Sequence, residues 1–175
     1  MHRNFFKLFA VTFLLLGCTH RAPSVQESKV VKLSHLLHTL HEDSTEQETM
    51  QLSRNIFIKT AQLSNEFEMT DSPYYHNFLV NVGMKDKGLC YQWADALYAY
   101  FSKQDYPSFE FHLVGANIGS YWTEHNSLVV VAKGMSVSEG IILDPWRNGG
   151  ELYFEKVKAD KAYIWKHRPK RGCLR

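Results

Sequence analysis

Three residues of the kinds that cooperate in nucleophilic catalysis occur in order along the 175-residue sequence: Cys90, His125 and Asp144. Cys90 stands in Lys87-Gly88-Leu89-Cys90-Tyr91-Gln92-Trp93-Ala94-Asp95-Ala96-Leu97, where Gly88 marks a turn and an apolar helix begins just after it. A thiolate is a nucleophile, an imidazole takes the thiol proton and hands it to a leaving group, and a carboxylate fixes the imidazole tautomer. A thiol in a first helical turn has further help. The unsatisfied N–H groups and the helix dipole favour the thiolate, and the same N–H groups can hold a developing oxyanion. The competing roles for Cys90 are an inert core thiol, a disulfide with Cys173 and a zinc ligand. Cys173 lies in a basic tail containing Gly and Pro, where a crosslink would constrain little of a core. Zinc accepts thiolate, imidazole and carboxylate, yet the sequence has no Cys-x-x-Cys, no His-Glu-x-x-His and no obvious fourth ligand, so no metal or other cofactor is expected. His76 and His112 are the alternatives to His125 as base. His112 alternates against an apolar face and His76 precedes a turn.

The elements that must carry these residues follow from periodicity. Cys90 to about Ser102 reads as a helix whose core stripe runs from Cys90 through Trp93, Ala94, Leu97, Tyr98 and Phe101, which puts the thiol at the first turn, pointing inward. Beyond it the period changes to two. Phe109, Phe111 and Leu113 alternate with Glu110 and His112, Trp122 to Ala132 holds the run Leu128-Val129-Val130-Val131, and Gly140 to Pro145 and Leu152 to Val157 supply two more strands. If Lys133-Gly134-Met135-Ser136 is a four-residue hairpin loop, Ala132 pairs with Val137 and His125 stands directly opposite Asp144. A slip of two residues leaves the pair diagonal on one face; a slip of one separates them onto opposite faces.

Ahead of Cys90, Leu33, Leu36, Leu37 and Leu40 have helical spacing, with His35, His38 and His41 as the polar flank. Steps of three residues rotate about 60° on an ideal helix, so the three histidines do not converge on one ion. A longer helix runs from about Thr45 to Phe67, capped by Ser44 with Gln47 or Thr45 with Glu48, its stripe of Leu52, Ile56, Leu63 and Phe67 interrupted by Lys59. Thr70 to Pro73 reads as a break and Asn77 to Val82 as the approach to Cys90, with Gly83 and Gly88 as turn points. Helices followed by an antiparallel sheet make an α+β pattern.

Residues 1–17 have the form of a secretion signal: Arg3 and Lys7 without an acid, then an apolar run from Leu8 to Leu16 broken only by Thr12, too short to span a bilayer stably. Leu15-Leu16-Gly17-Cys18 resembles the lipobox of bacterial lipoproteins, which implies lipidation of Cys18, attachment to the membrane and, with Thr19 following, residence at the outer membrane facing the periplasm. Removing Arg3 and Lys7 takes Lys+Arg from 20 to 18 against 18 Asp+Glu, so the remaining chain is near neutral. A neutral chain without a basic stripe argues against a nucleic-acid partner. Lys166-His167-Arg168-Pro169-Lys170-Arg171 is the one cluster of positive charge, a solvated tail or a contact to anionic headgroups or cell-wall polymers. The expected organisation is therefore a signal over 1–17, a lipidated Cys, tether and short amphipathic segment over 18–43, one catalytic domain over 44–167 and a basic tail over 168–175, with residues 19–29 as linker. Asn148-Gly149-Gly150 lies between two strands and reads as a turn rather than a phosphate loop.

Gly88-Leu89-Cys90 opening a helix, Glu124-His125-Asn126-Ser127-Leu128-Val129-Val130 as a strand and Ile142-Leu143-Asp144-Pro145-Trp146 as the next resemble the Cys, His, Asp order of bacterial transglutaminase-like cysteine proteinases. The likeness covers about residues 73 to 157, with intervals of 35 and 19 residues, and departs from the family pattern at Asn126. It implies a papain-like core with Cys90 as nucleophile, His125 as base and Asp144 as orienting acid, acting on amide bonds of proteins or cell-wall peptides by hydrolysis or acyl transfer. The alternative is a binding or structural envelope lipoprotein on the same fold without turnover, marked by a Cys90 buried from solvent or turned away from His125.

Overall fold

A computed structural model describes residues 25–169 of the chain. The signal segment 1–17, Cys18, Cys173 and the end of the basic tail lie outside the described residues. The protein is α+β. Four helices, α1 (Glu27–His38), α2 (Glu46–Glu66), α3 (Pro73–Asn81) and α4 (Cys90–Phe101), precede strands β1 (Phe109–Ala116), β2 (His125–Ala132), β3 (Ile141–Asn148), β4 (Glu151–Lys156) and β5 (Lys166–His167). The described strands form one antiparallel sheet in the order β4-β3-β2-β1-β5.

α2 begins where Thr45 Oγ1 accepts the Glu48 N–H at 3.1 Å, the second of the two expected caps. Its stripe of Leu52, Ile56 and Leu63, with Phe67 just beyond, is buried, and the interrupting Lys59 lays its ammonium over the Tyr100 ring at 5.0 Å. α1 is part of the same core. Val30, Leu33 and Leu37 are buried, and Ser53 Oγ donates to the Val30 carbonyl at 2.7 Å. Residues 27–29, expected in a linker, are its first turn, where Lys29 pairs with Glu151.

The break expected over residues 70–73 lies between α2 and the first turn of α3, and most of the approach expected over residues 77–82 is carried by this helix. Pro73 occupies its first turn, where a missing N–H removes nothing the helix would use, and Ser72 Oγ accepts the Tyr75 N–H at 3.3 Å. α2 has already ended at Glu66, capped by Phe67, so Ser72 and Pro73 start α3 rather than end α2.

β2 is buried on both faces, which explains the unbroken Leu128-Val129-Val130-Val131 run. Leu128 and Val130 join Phe109, Phe111, Ile141 and Leu143 against the helices. Val129 and Val131 join Val114, Ala116 and Ile142 under Val157 and Trp165 of the C-terminal segment. α4 turns Trp93, Ala94, Leu97 and Phe101 into the first of these layers, while Tyr98, expected in its stripe, is exposed.

The register of β2 on β3 differs from the expected one by two residues. Leu128 pairs with Leu143, Val129 with Ile142 and Val130 with Ile141. The connection is longer than a four-residue hairpin because Val137–Glu139 form a 3-10 turn before β3 starts. Continuing this pairing sets Asp144 across from Ser127, with His125 diagonal to it on the same face. Parity survives because the displacement is even.

Candidate active site

Cys90 is the first residue of α4, half-buried against the helical core and a free thiol among the described residues. The turn that delivers it is tightly held. Gly88 has φ +119°, a region that L side chains rarely adopt, and a Cβ there would collide with His76 Nε2 and Met69 Sδ. His76, fully buried, accepts the Thr70 N–H on Nδ1 at 3.2 Å and donates from Nε2 to the Lys87 carbonyl at 2.7 Å. This histidine, one of the two alternatives to His125, shapes the loop that presents the thiol. Gln92 folds back on the same loop, its Oε1 accepting the N–H groups of Gly88 at 2.8 Å and Leu89 at 3.0 Å. The Leu89 carbonyl in turn accepts from Gln92 and Trp93 at 2.9 and 3.1 Å.

His125 is the first residue of β2 and 2% exposed. Its Nε2 lies 2.7 Å from Asp144 Oδ2, itself 1% exposed. The Cys90 thiol acts on the imidazole from a neighbouring position, although no atom meets the Nδ1 nitrogen in full hydrogen-bond geometry. Because Cys90 opens α4 and His125 opens β2, the two meet at the end of the sheet. Burial alone would make His125 harder to protonate. Hydrogen bonding and charge from Asp144, and then from Cys90, outweigh it and raise its pKa from 6.5 to about 9.

Three aromatic rings enclose the imidazole. Tyr163, Trp146 and Trp165 have ring centroids 4.6, 4.7 and 5.3 Å from it. Trp146 is tied to α3 by its Nε1–H, which donates to Asn77 Oδ1 at 3.0 Å, and the exposed Tyr74 ring meets it edge-on at 5.6 Å. The Tyr163 phenol is pushed up by burial, then by the neighbouring Tyr74 and by the charges of Asp144 and Cys90.

Asp144 has a second partner. The β3–β4 pairing shifts register between Asp144 and Asn148, and this bulge turns Arg147 back on Asp144. Arg147 Nε donates to Asp144 Oδ2 at 2.9 Å and its N–H to Oδ1 at 3.3 Å. Its two terminal nitrogens donate to Asp160 at 3.2 and 2.7 Å, and the guanidinium lies 3.9 Å from the Tyr153 ring centroid. Asp160 also accepts from Trp165 Nε1 at 2.9 Å and Ala162 N at 3.0 Å. Burial works against the Asp160 carboxylate, but these donors hold its pKa below the usual value. Arg147, Asp160, Tyr163 and Trp165 escaped the sequence reading. Asp144-Pro145-Trp146-Arg147 offered a local sign, an acid and a base three apart across a Pro; nothing in the sequence ties Asp160 to them.

The other candidates lie elsewhere. His112 Nε2 is 3.0 Å from Glu110 Oε1 on β1, and its ring meets that of His167 edge-on. His38 bonds Ser44 and His41 accepts the Asp43 N–H, while His35 lies in the last turn of α1. Among the described residues no group of three or more His, Cys, Asp or Glu is placed to hold a metal ion. Arg168, expected at the start of a solvated tail, is buried: it donates to Glu124 at 2.6 Å and to Asn126 Oδ1 at 3.1 Å, which gives Asn126 a structural role. A cavity of about 20 Å³ between α1, α2 and β4, lined by Lys29, Phe57 and Glu151 among others, is remote from this chemistry. No described helix is long and apolar enough to cross a membrane. No family model, curated protein or solved structure matches the chain.

Proposed function

We propose that the protein is a thiol enzyme acting on amide bonds through Cys90, His125 and Asp144. The observation that carries this reading is the placement of one buried imidazole between a carboxylate, 2.7 Å from Nε2, and a thiol at a helix N-terminus. The Asp144 contact occupies Nε2, so Nδ1 is the nitrogen left to exchange a proton with Cys90. Cys90 Sγ attacks the carbonyl carbon while its proton resides on His125, and the Cys90 N–H at the helix start helps to hold the oxyanion. His125 then protonates the leaving amine as the C–N bond breaks, leaving a thioester. A water molecule gives a proton back to His125 and its oxygen attacks the thioester, breaking the S–C bond and releasing the acid. An amine in place of water gives acyl transfer.

In this reading the fold is papain-like, of the transglutaminase-like kind, and Cys18 carries a lipid that holds the enzyme at the bacterial outer membrane, facing the periplasm and its protein or cell-wall peptides. Iodoacetamide labelling of the purified protein near neutral pH tests the chemistry. Cys90 is expected to react faster than an ordinary thiol, and His125→Ala to abolish the excess. Labelling at an ordinary rate, unchanged by that substitution, refutes the enzyme and leaves a binding or structural lipoprotein. Labelling cells with a palmitate analogue tests the anchor, which Cys18→Ala is expected to remove.

A further inference from the structure

We infer that Arg147, clamped by Asp160, is a positioning residue for the triad, and that the C-terminal segment 160–165 is therefore a working part of the site rather than its cover. The inference rests on the triad proposed above. Asp144 alone does not fix its own orientation: a carboxylate on a strand can rotate about its side-chain bonds, and His125 holds one oxygen only. Arg147 engages both oxygens, Oδ2 through Nε and Oδ1 through its backbone N–H, so the plane of the carboxylate is set by the bulge in β3. The guanidinium is fixed in turn by its fork on Asp160, a planar match that holds direction as well as distance. Asp160 is anchored by Trp165 Nε1–H, and the Trp165 and Tyr163 rings pack on His125. The chain of contacts thus leaves the imidazole on one side and returns to it on the other.

Charge gives the arrangement a second purpose. Asp144 and Asp160 are nearly buried, and a thiolate adjoining them would be a third negative group. Arg147 and a protonated His125 supply two positive charges among them. Without Arg147 the acids would compete for one cation, and Asp144 would be free to turn from His125. The ionisable groups facing His125 are Asp144 from β3, Cys90 from α4 and Tyr163 from the C-terminal segment; Arg147, Asp160, Tyr153 and Tyr74 form the next ring.

The test is the pH profile of Cys90 labelling by iodoacetamide in the full chain, normalised to the folded fraction. Arg147→Gln and Asp160→Asn are expected to slow labelling at pH 7 roughly ten-fold, part of the 100- to 10,000-fold that acid–base assistance contributes, and to shift the midpoint of the profile. Arg147→Lys, which keeps a cation between the two acids, is expected to recover part of the rate. Trp165→Phe keeps the ring on His125 and loses only the bond to Asp160, so it is expected to move the profile less, in the same direction, and it decides the question if the charged variants fail to fold. Folded variants that label with the wild-type profile, whatever their melting temperatures, overturn the inference. His125→Ala separates the two claims: if it leaves labelling unchanged the triad itself falls, whereas a His125-dependent rate indifferent to Arg147, Asp160 and Trp165 refutes only their role.

Discussion

Replacing Cys90 by Ala removes a thiol and leaves the helix intact, and its sharpest consequence lies in His125. The imidazole is 2% exposed, and burial disfavours its charge; Asp144 and Cys90 together reverse that balance and raise its pKa to about 9. Two of the four raising influences, a hydrogen bond and a charge, come from Cys90. Cys90→Ala should therefore lower the His125 pKa, leaving Asp144 to oppose burial alone. Histidine NMR follows both: in the wild type His125 stays protonated beyond pH 8, whereas in the variant it titrates at lower pH. The folded pKa of about 9 lies above the unfolded 6.5, so the proton stabilises the native state. A rise from 6.5 to about 9 corresponds to about 3 kcal/mol taken alone. That stability is fully present below pH 6.5 and is lost as pH rises through 9, so urea midpoints should fall across this window and fall less in Cys90→Ala. A wild-type His125 that titrates at or below 6.5, or one indifferent to Cys90, refutes the thiol–imidazole coupling.

Gly88→Ala should destabilise the protein by about 1–3 kcal/mol from backbone strain alone. The collision with His76 and Met69 adds to this, and in whatever folds Cys90 should label more slowly; urea unfolding and iodoacetamide labelling read the two effects. His76→Phe keeps a ring in place but strands the Lys87 carbonyl and the Thr70 N–H, and should cost about 1–3 kcal/mol by the same unfolding assay. Leu97→Ala empties a fully buried position behind Cys90 and should cost about 2–5 kcal/mol. Asp144→Asn removes the charge that orients and protonates His125, so NMR should show its pKa falling and thiol labelling at pH 7 should slow, with the fold retained.

The sequence made the first-turn position of Cys90 legible because Gly88 and the spacing of Trp93, Leu97 and Phe101 are local signals. It also made the shared face of His125 and Asp144 legible, since parity depends only on which residues alternate. The register was not. Loop length there is set by the 3-10 turn at Val137–Glu139, which has no strong signature, and the true pairing is two residues away from the hairpin estimate. α3 was missed for a different reason: a Pro can break a helix or stand in its first turn, and only the cap bond from Ser72 distinguishes the two meanings. Arg168 read as tail because its partners, Glu124 and Asn126, lie more than forty residues earlier in the chain.

The diagonal register has a chemical consequence that direct opposition would lack. His125 stands at the first position of β2, where the end of the sheet adjoins the first turn of α4, and the displaced register leaves Asp144 diagonal to it rather than opposite. Directly opposite Asp144, at the position of Ser127, the same side chain would lie farther inside the sheet, away from the helix N-terminus. Ser127 there donates to the Leu143 carbonyl at 2.7 Å, a bond that fits the interior. The carboxylate consequently reaches outward along the strand to His125, and a carboxylate reaching along a strand needs a second support. The bulge supplies it, because it returns the Arg147 backbone and guanidinium to the two oxygens that the diagonal leaves incompletely held. Register, bulge and clamp are one geometric solution: the imidazole stands at the strand end beside the thiol, the displaced register leaves the carboxylate diagonal to it, and the irregularity in β3 supports the carboxylate across that distance.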